Sequence, residues 1–306
     1  MERWATVRVP ATTANLGPGF DALGLALGWH EVAHLALTGT GLEVRVTGPG
    51  AQDVPCGEDN LVVRGARAVL AATAAPERGL AVALELRVPV GRGLGSSAAA
   101  VAAGVVGTNA LLGSPLPPEA LVELAASVEG HPDNVAPAIL GGLCAACTLA
   151  TGRVLTVRLE PPPGLAAVVA IPAQPLATAL ARQALPATVP FADAVANVQR
   201  ACLLVAALAA GRLDALGEAT ADRLHQPYRA HLVPGLQACL DGAAAAGALG
   251  AFLSGAGPSV LALVPEVGGA AGAVAAAMRR HLDAHGGGEV RQVPLSSAGA
   301  SVLVAP

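Results

Sequence analysis

The sequence predicts an α+β protein of two domains, and three observations carry that expectation. Over 306 residues, 53% of the side chains are hydrophobic, enough for a sizeable core and too many for a disordered chain. Strand-like stretches with period-two alternation interleave with alanine-rich helical stretches, but without the strict strand–helix–strand rhythm of a doubly wound sheet. The run Pro161-Pro162-Pro163-Gly164 is the strongest punctuation in the chain and divides it into residues 1–160 and 161–306.

Residues 6–9 read as a strand that ends at Pro10 and gives way to a polar loop, ATTANLGPGFDALG, at 11–24. Alternation returns at 42–47 and 81–88. Residues 96–112 are alanine-rich, free of proline and opened by serine, a favoured N-cap, so they predict a helix. Pro117 and Pro118 introduce a second helix at 119–128, stopped by Gly130. Segments 142–148 and 154–159 predict paired strands around Thr151-Gly152. The second half reads as a strand at 166–171, a helix-rich stretch from about 191 to 217 and a helix at 234–247. It continues with a strand, turn and strand through 250–264, a helix at 272–285 and two short strands. No fixed-period repeat is present.

Composition excludes several functions. The net charge is only −4 and no block of five like charges occurs, so a nucleic acid or membrane-surface partner is not expected. Residues 242–265 are uncharged, but glycines and Pro258 interrupt them, which predicts buried elements instead of a membrane span. Five cysteines do not make a disulfide framework, and MERWATVRVPATTA has no apolar leader, so a cytoplasmic setting is expected. All 18 positive residues are arginine. Without lysine there is no Schiff base, lysine general base or P-loop lysine, and a nucleotide site must work by other means.

Four stretches carry chemistry. PVGRGLGSSAAA at 89–100 lies between a strand and a helix, where backbone N–H groups and the helix dipole converge on an anion. Glycine there lets a phosphate approach the backbone, and a serine just inside the helix can ligate the magnesium of a nucleotide. The spacing is neither a Walker A nor a dinucleotide motif. EGHPDNVAPAILGG at 129–142 crowds Glu129, His131, Asp133 and Asn134, as a ligand site or as a capped surface loop. Asn15 and Asp21 flank Gly17, Pro18 and Gly19, as turn formers or ligands. SGAGPS at 254–259 is a second glycine turn, structural or closing over phosphates. Glu123, on the helix before the acidic segment, is either near enough to share a metal site with Ser97 or an ordinary solvated glutamate. Cys144 and Cys147, with no second pair, read as structural.

Taken together these stretches resemble the GHMP kinase superfamily and, within it, the homoserine kinase family. The resemblance rests on the N-terminal loop at 11–24, P-x-x-x-G-L-G-S-S-A-A at 89–99, GHPDNVAPAILGG at 130–142, QPYRAHLVPG at 226–235 and the turn at 254–259. It implies a fold with an N-terminal ATP-binding domain of the ribosomal-protein-like type and a C-terminal ferredoxin-like domain. It also implies ATP and Mg2+, L-homoserine as phosphoryl acceptor, a homodimer and a role in threonine biosynthesis. Carried over position by position, Pro89, Val90, Gly91, Arg92, Gly93, Leu94, Gly95, Ser96, Ser97, Ala98 and Ala99 wrap the ATP phosphates, with Asn60 near the adenine and Gly255 and Gly257 closing the site. Ser97 and Glu123 hold magnesium; Glu129, six residues on, is the rival carboxylate, and spacing to His131 and Asp133 favours Glu123. Homoserine falls to Asn15, Asp21, His131, Thr178, Arg182 and Arg229.

An acidic partner for the ammonium and a guanidinium for the carboxylate agree with a zwitterionic amino acid. In LATALARQALP the family's usual Ser-Thr pair is Ala177-Thr178 and an acidic position is Leu180, so Thr178 and Arg182 are matched on spacing and on Leu185-Pro186. The aspartate–lysine pairing of mevalonate kinases cannot operate here. The resemblance to homoserine kinases, which look like enzymes without a clear general base, implies that Asn134 and Arg182 align the acceptor and stabilise charge, leaving Asp133 as a possible base.

Overall fold

A computed structural model describes residues 3–76 and 78–304; Met1 and Glu2, which begin the stretch read for a leader, lie outside the described residues. Two sheets organise the chain. The first begins with β1 (Trp4–Asn15) and β2 (Gly19–Thr38), an antiparallel pair joined by a turn at 16–18. The expected stop at Pro10 does not occur. Strand β1 shifts register between Pro10 and Ala11, and such a bulge accommodates a residue with no N–H for the ladder. Most of the segment read as a polar loop is thus strand, and it carries Asn15 and Asp21 to the rim of the sheet.

β3 (Leu42–Thr47) runs parallel to β4 (Gly79–Glu85), with α1 (Leu61–Ala72) between them. Asn60, which the sequence singled out as a ligand, is the N-cap of α1 and accepts from Val62 N–H at 3.0 Å. Helices α2 (Ser96–Leu111), α3 (Pro118–Glu129) and α4 (Pro132–Leu140) follow, then the hairpin β5 (Leu143–Thr148) and β6 (Val154–Leu159). The segment weighed as a capped loop is helical from Pro132, with proline in the first turn. Small residues let these helices pack closely: a Cβ on Gly104 would sit 2.2 Å from Val62 O of α1.

The second sheet holds β7 (Leu165–Pro172), β8 (Gly250–Leu253), β9 (Val260–Pro265) and β10 (Gly288–Pro294) in the order β10-β7-β9-β8, all antiparallel. Numbered from its first strand this is 4-1-3-2, the ferredoxin-like order. Between β7 and β8 lie α5 (Thr178–Gln183), α6 (Phe191–Ala210), α7 (Leu216–Ala219), α8 (Gln226–Arg229) and α9 (Leu236–Ala245), and α10 (Ala270–Ala284) joins β9 to β10. The final strand, β11 (Ser301–Val304), returns to pair with β1, so the first sheet takes its edge from the far end of the chain.

Strand β7 is apolar on both faces because both are covered. Leu165, Ala167, Val169 and Ile171 face a core shared with Leu25 and Leu27 of β2, while Val168 and Ala170 face α9 and α10. Side chains such as Phe252 and Leu261 in the shared core contribute about 1.5–3 kcal/mol each by burial. That core welds the sheets together and fixes the cleft above it.

Candidate active site

The loop from β4 to α2 turns on Gly91, Gly93 and Gly95, with φ of 68°, 71° and 70°, a region that side chains resist. Two of them are also hemmed in: a Cβ on Gly93 would lie 2.2 Å from Ser254 O, and one on Gly95 would lie 1.9 Å from Thr12 Oγ1. The loop is held from below and above. Thr12 N–H donates to Leu94 O at 3.1 Å, and Ser254 Oγ donates to Gly93 O at 2.6 Å. This brings the N-terminus of α2, which has no side-chain cap, to a cavity of about 340 Å3. Its free N–H groups and the helix dipole favour an anion there.

Every residue from Pro89 to Ser97 lines that cavity. Ala98 and Ala99 are buried beneath it and serve as packing. Arg92 is not a free cation for phosphate. Its guanidinium donates to the carbonyls of Val90, Pro172 and Ala173 at 3.0, 2.9 and 2.6 Å, tying the loop to the second sheet. Asn60 lines the cavity near Leu61, Leu84 and Leu86, an apolar end suited to a base, with its side chain held between Pro55 O and Val62 N–H. Of the two glycines in the 254–259 turn, Gly255 lines the cavity and Gly257 lies behind it.

The carboxylate beside Ser97 is Glu129. Ser97 Oγ donates to Glu129 Oε1, and both line the cavity. Glu123 is elsewhere, accepting from Arg153 Nε and Val154 N–H at 3.4 Å each. Six residues along a helix is about 9 Å and one and two-thirds turns, so the two side chains leave α3 on different sides. Spacing to His131 and Asp133 did not register that phase.

Asp21 forms a two-pronged ion pair with Arg182, both contacts at 2.9 Å. Arg182 comes from α5, four residues after Thr178, so both share a face toward the cavity. Asn15 is committed to architecture: Oδ1 accepts from Asp21 N–H at 3.0 Å and Nδ2 donates to Gly255 O at 2.9 Å. It aims Asp21, which has a left-handed backbone at φ 55°.

Arg229 is 2% exposed. It donates to Ala181 O, His225 Nδ1 and Gly255 O at 3.0, 3.2 and 3.2 Å and lies 5.2 Å from the centre of the Phe20 ring. No carboxylate pairs with it among the described residues. Burial, with Arg182 nearby, pulls its pKa down to about 10, so it remains a cation at neutral pH.

His131 Nδ1 bonds Asp133 Oδ1. Burial acts to lower the imidazole pKa, but that bond and the charges of Asp133 and Glu129 outweigh it and raise the pKa. Asn134, which lines the cavity, accepts at Oδ1 from Thr12 Oγ1 at 2.8 Å. Thr12 and Phe20 were missed by sequence reasoning. Both sit inside ATTANLGPGFDALG, where only the amide and carboxylate were weighed.

Family models match the chain twice, GHMP kinases N terminal domain at residues 60–142 and GHMP kinases C terminal at 204–284. The chain is 50% identical over 266 residues to the homoserine kinase of Moorella thermoacetica, spanning 86% of this chain and 89% of that one. It is 46% identical to the homoserine kinase of a Synechococcus strain, over 87% of this chain and 85% of the other. The crystal structure of homoserine kinase from Cytophaga hutchinsonii superposes with a TM-score of 0.89 at 32% identity, covering 98% and 97% of the two chains. A glycine loop at the start of α2, a cleft between two sheets of GHMP kinase architecture and these likenesses converge: the chain belongs to the homoserine kinase family of the GHMP kinases and is an ATP-dependent small-molecule kinase.

Proposed function

We propose that the chain transfers the γ-phosphoryl group of ATP to the side-chain hydroxyl of L-homoserine, giving O-phospho-L-homoserine and ADP for threonine biosynthesis. Arg229 carries this reading. A buried guanidinium without a carboxylate is costly, and it faces the same cavity as the phosphate loop, so an anionic substrate group completes it. Asp21 in that cavity complements an ammonium, and the two together fit an α-amino acid.

The homoserine ammonium binds Asp21 and competes there with Arg182, whose guanidinium is then available to the transferring phosphoryl group. The carboxylate lies against Arg229. Asn134, fixed by Thr12, presents its N–H2 to the acceptor hydroxyl, while His131 and Thr178 line the substrate end. Asp133 is occupied by His131 and acts in positioning. In a loose transition state the hydroxyl oxygen bonds phosphorus as the bridging bond to ADP breaks, and the hydroxyl proton passes to a phosphate oxygen. The backbone N–H groups of the loop at 89–99 meet the charge that accumulates.

The oxygen donors Ser97 and Glu129 fit Mg2+, which takes one or two protein oxygens beside nucleotide phosphates and, when bound, would neutralise phosphate charge. Glu123 is not part of that set. The solvent-facing side of α6, with Phe191 85% and Val198 63% exposed, supports a homodimer that covers it, detectable by light scattering as twice the chain mass. A cytoplasmic setting belongs to the same proposal.

ADP release tests the reaction. L-Homoserine should stimulate turnover far more than mevalonate or 3-aminopropan-1-ol, which lacks the carboxylate. Equal rates with 3-aminopropan-1-ol, or a preference for mevalonate, would reject the assignment.

A further inference from the structure

Glu31 lies in β2, in none of the motifs, and is 2% exposed. Strand alternation turns it to the same side of the sheet as Ala33 and Leu35, with Val9 opposite it on β1. Helix α2 packs on that side and has no ionisable side chain. Arg8 on β1 and Glu85 on β4 alternate to the other side, with His30 and His34 of β2, and Glu85 meets His34 there. On α4, Asp133 is engaged by His131.

The polar contact of Glu31 is with the phosphate loop: Oε1 lies 2.9 Å from Ser96 Oγ. Its Oε2 has no partner among the described residues. Burial pushes the carboxyl pKa up to about 8, against the lowering effect of the Ser96 contact, so the group holds its proton at neutral pH.

We propose that Glu31 is a positioning residue for the nucleotide: as a neutral acid it donates to Ser96 Oγ and leaves the serine's own hydrogen directed at a phosphate oxygen. An ionised carboxylate would take that hydrogen and turn lone pairs toward the phosphate. The unpartnered oxygen and, among the described residues, the absence of a cation beside it fit a neutral acid. The inference rests on the reading that the loop at 89–99 holds the phosphates of ATP.

The test is a double-mutant cycle on the full chain, with KM for ATP, KM for homoserine and kcat measured at pH 7 for Ser96→Ala, Glu31→Ala, Glu31→Gln and Glu31→Ala/Ser96→Ala. Each single alanine should raise KM for ATP about tenfold and leave homoserine alone, while the double variant is no worse than Ser96→Ala. Glu31→Gln, whose N–H2 donates as the acid does, should restore ATP binding to within about twofold of the parent. Additive losses in the double variant, or glutamine as damaging as alanine, would overturn the role of Glu31. Unchanged KM for ATP in Ser96→Ala would reject the loop reading itself. Should Glu31→Ala fail to fold, the ATP KM of Glu31→Gln set against that of Ser96→Ala decides.

Discussion

The proposed nucleotide end of the cavity offers its ligand backbone: three left-handed glycines, free N–H groups at the start of α2 and a loop pinned by Thr12 and Ser254. The substrate end offers side chains, Asp21, Arg182 and Arg229, gathered from β2, α5 and α8. The first is one loop whose turns admit no Cβ at Gly93 or Gly95, and in the proposed function it meets a charge common to all nucleotides. The second exists only once both sheets are joined, and in the proposed function it selects the acceptor. Catalysis needs both, but their failures are separable.

The sharpest division lies where the two ends meet. Glu129→Gln should lower kcat by about 1000-fold, since it removes the charged carboxylate that accepts from Ser97 where transferring charge is neutralised. Glu123→Gln, on the far side of α3 beside Arg153, should stay within about twofold of the parent. A reversed ranking, read by steady-state kinetics, would restore Glu123 to the metal and dissolve the boundary drawn here.

A smaller effect isolates the support beneath the nucleotide end. Glu31 is raised to about 8 by burial, against an ordinary value of 4.5. Between those values the unfolded chain releases this proton and the folded chain keeps it, so Glu31 contributes stability at low pH that is lost as pH rises through the window. The melting temperature of Glu31→Gln minus that of the parent should therefore grow by a few degrees from pH 5 to pH 8 and level off above it. A difference constant with pH would show that Glu31 is ionised in the fold.

The same contrast explains what the sequence made legible. PVGRGLGSSAAA declares its shape because turn, glycine and helix start are neighbours in the chain. Strands β3 and β4 were readable from alternation and β5 and β6 from the hairpin turn between them, but β2 was hidden, because Gly19 and Asp21 look like turn residues until pairing with β1 overrides them. α4 was hidden by its two prolines. Arg229 and Asp21 could be matched to roles, whereas the Thr12–Asn134 and Glu31–Ser96 contacts span 122 and 65 residues and have no local signature. Glu129 and Glu123 differ by helix phase, which six-residue spacing leaves unresolved without a fixed reference face.

The measurement closest to the central claim is the split of Michaelis constants in Arg229→Leu. Removing a buried partner of the substrate carboxylate should raise KM for homoserine by about 100-fold, with KM for ATP within about twofold of the parent. If both constants rise together, or if KM for homoserine does not move, the separation of a backbone-built nucleotide end from a side-chain-built substrate end is wrong.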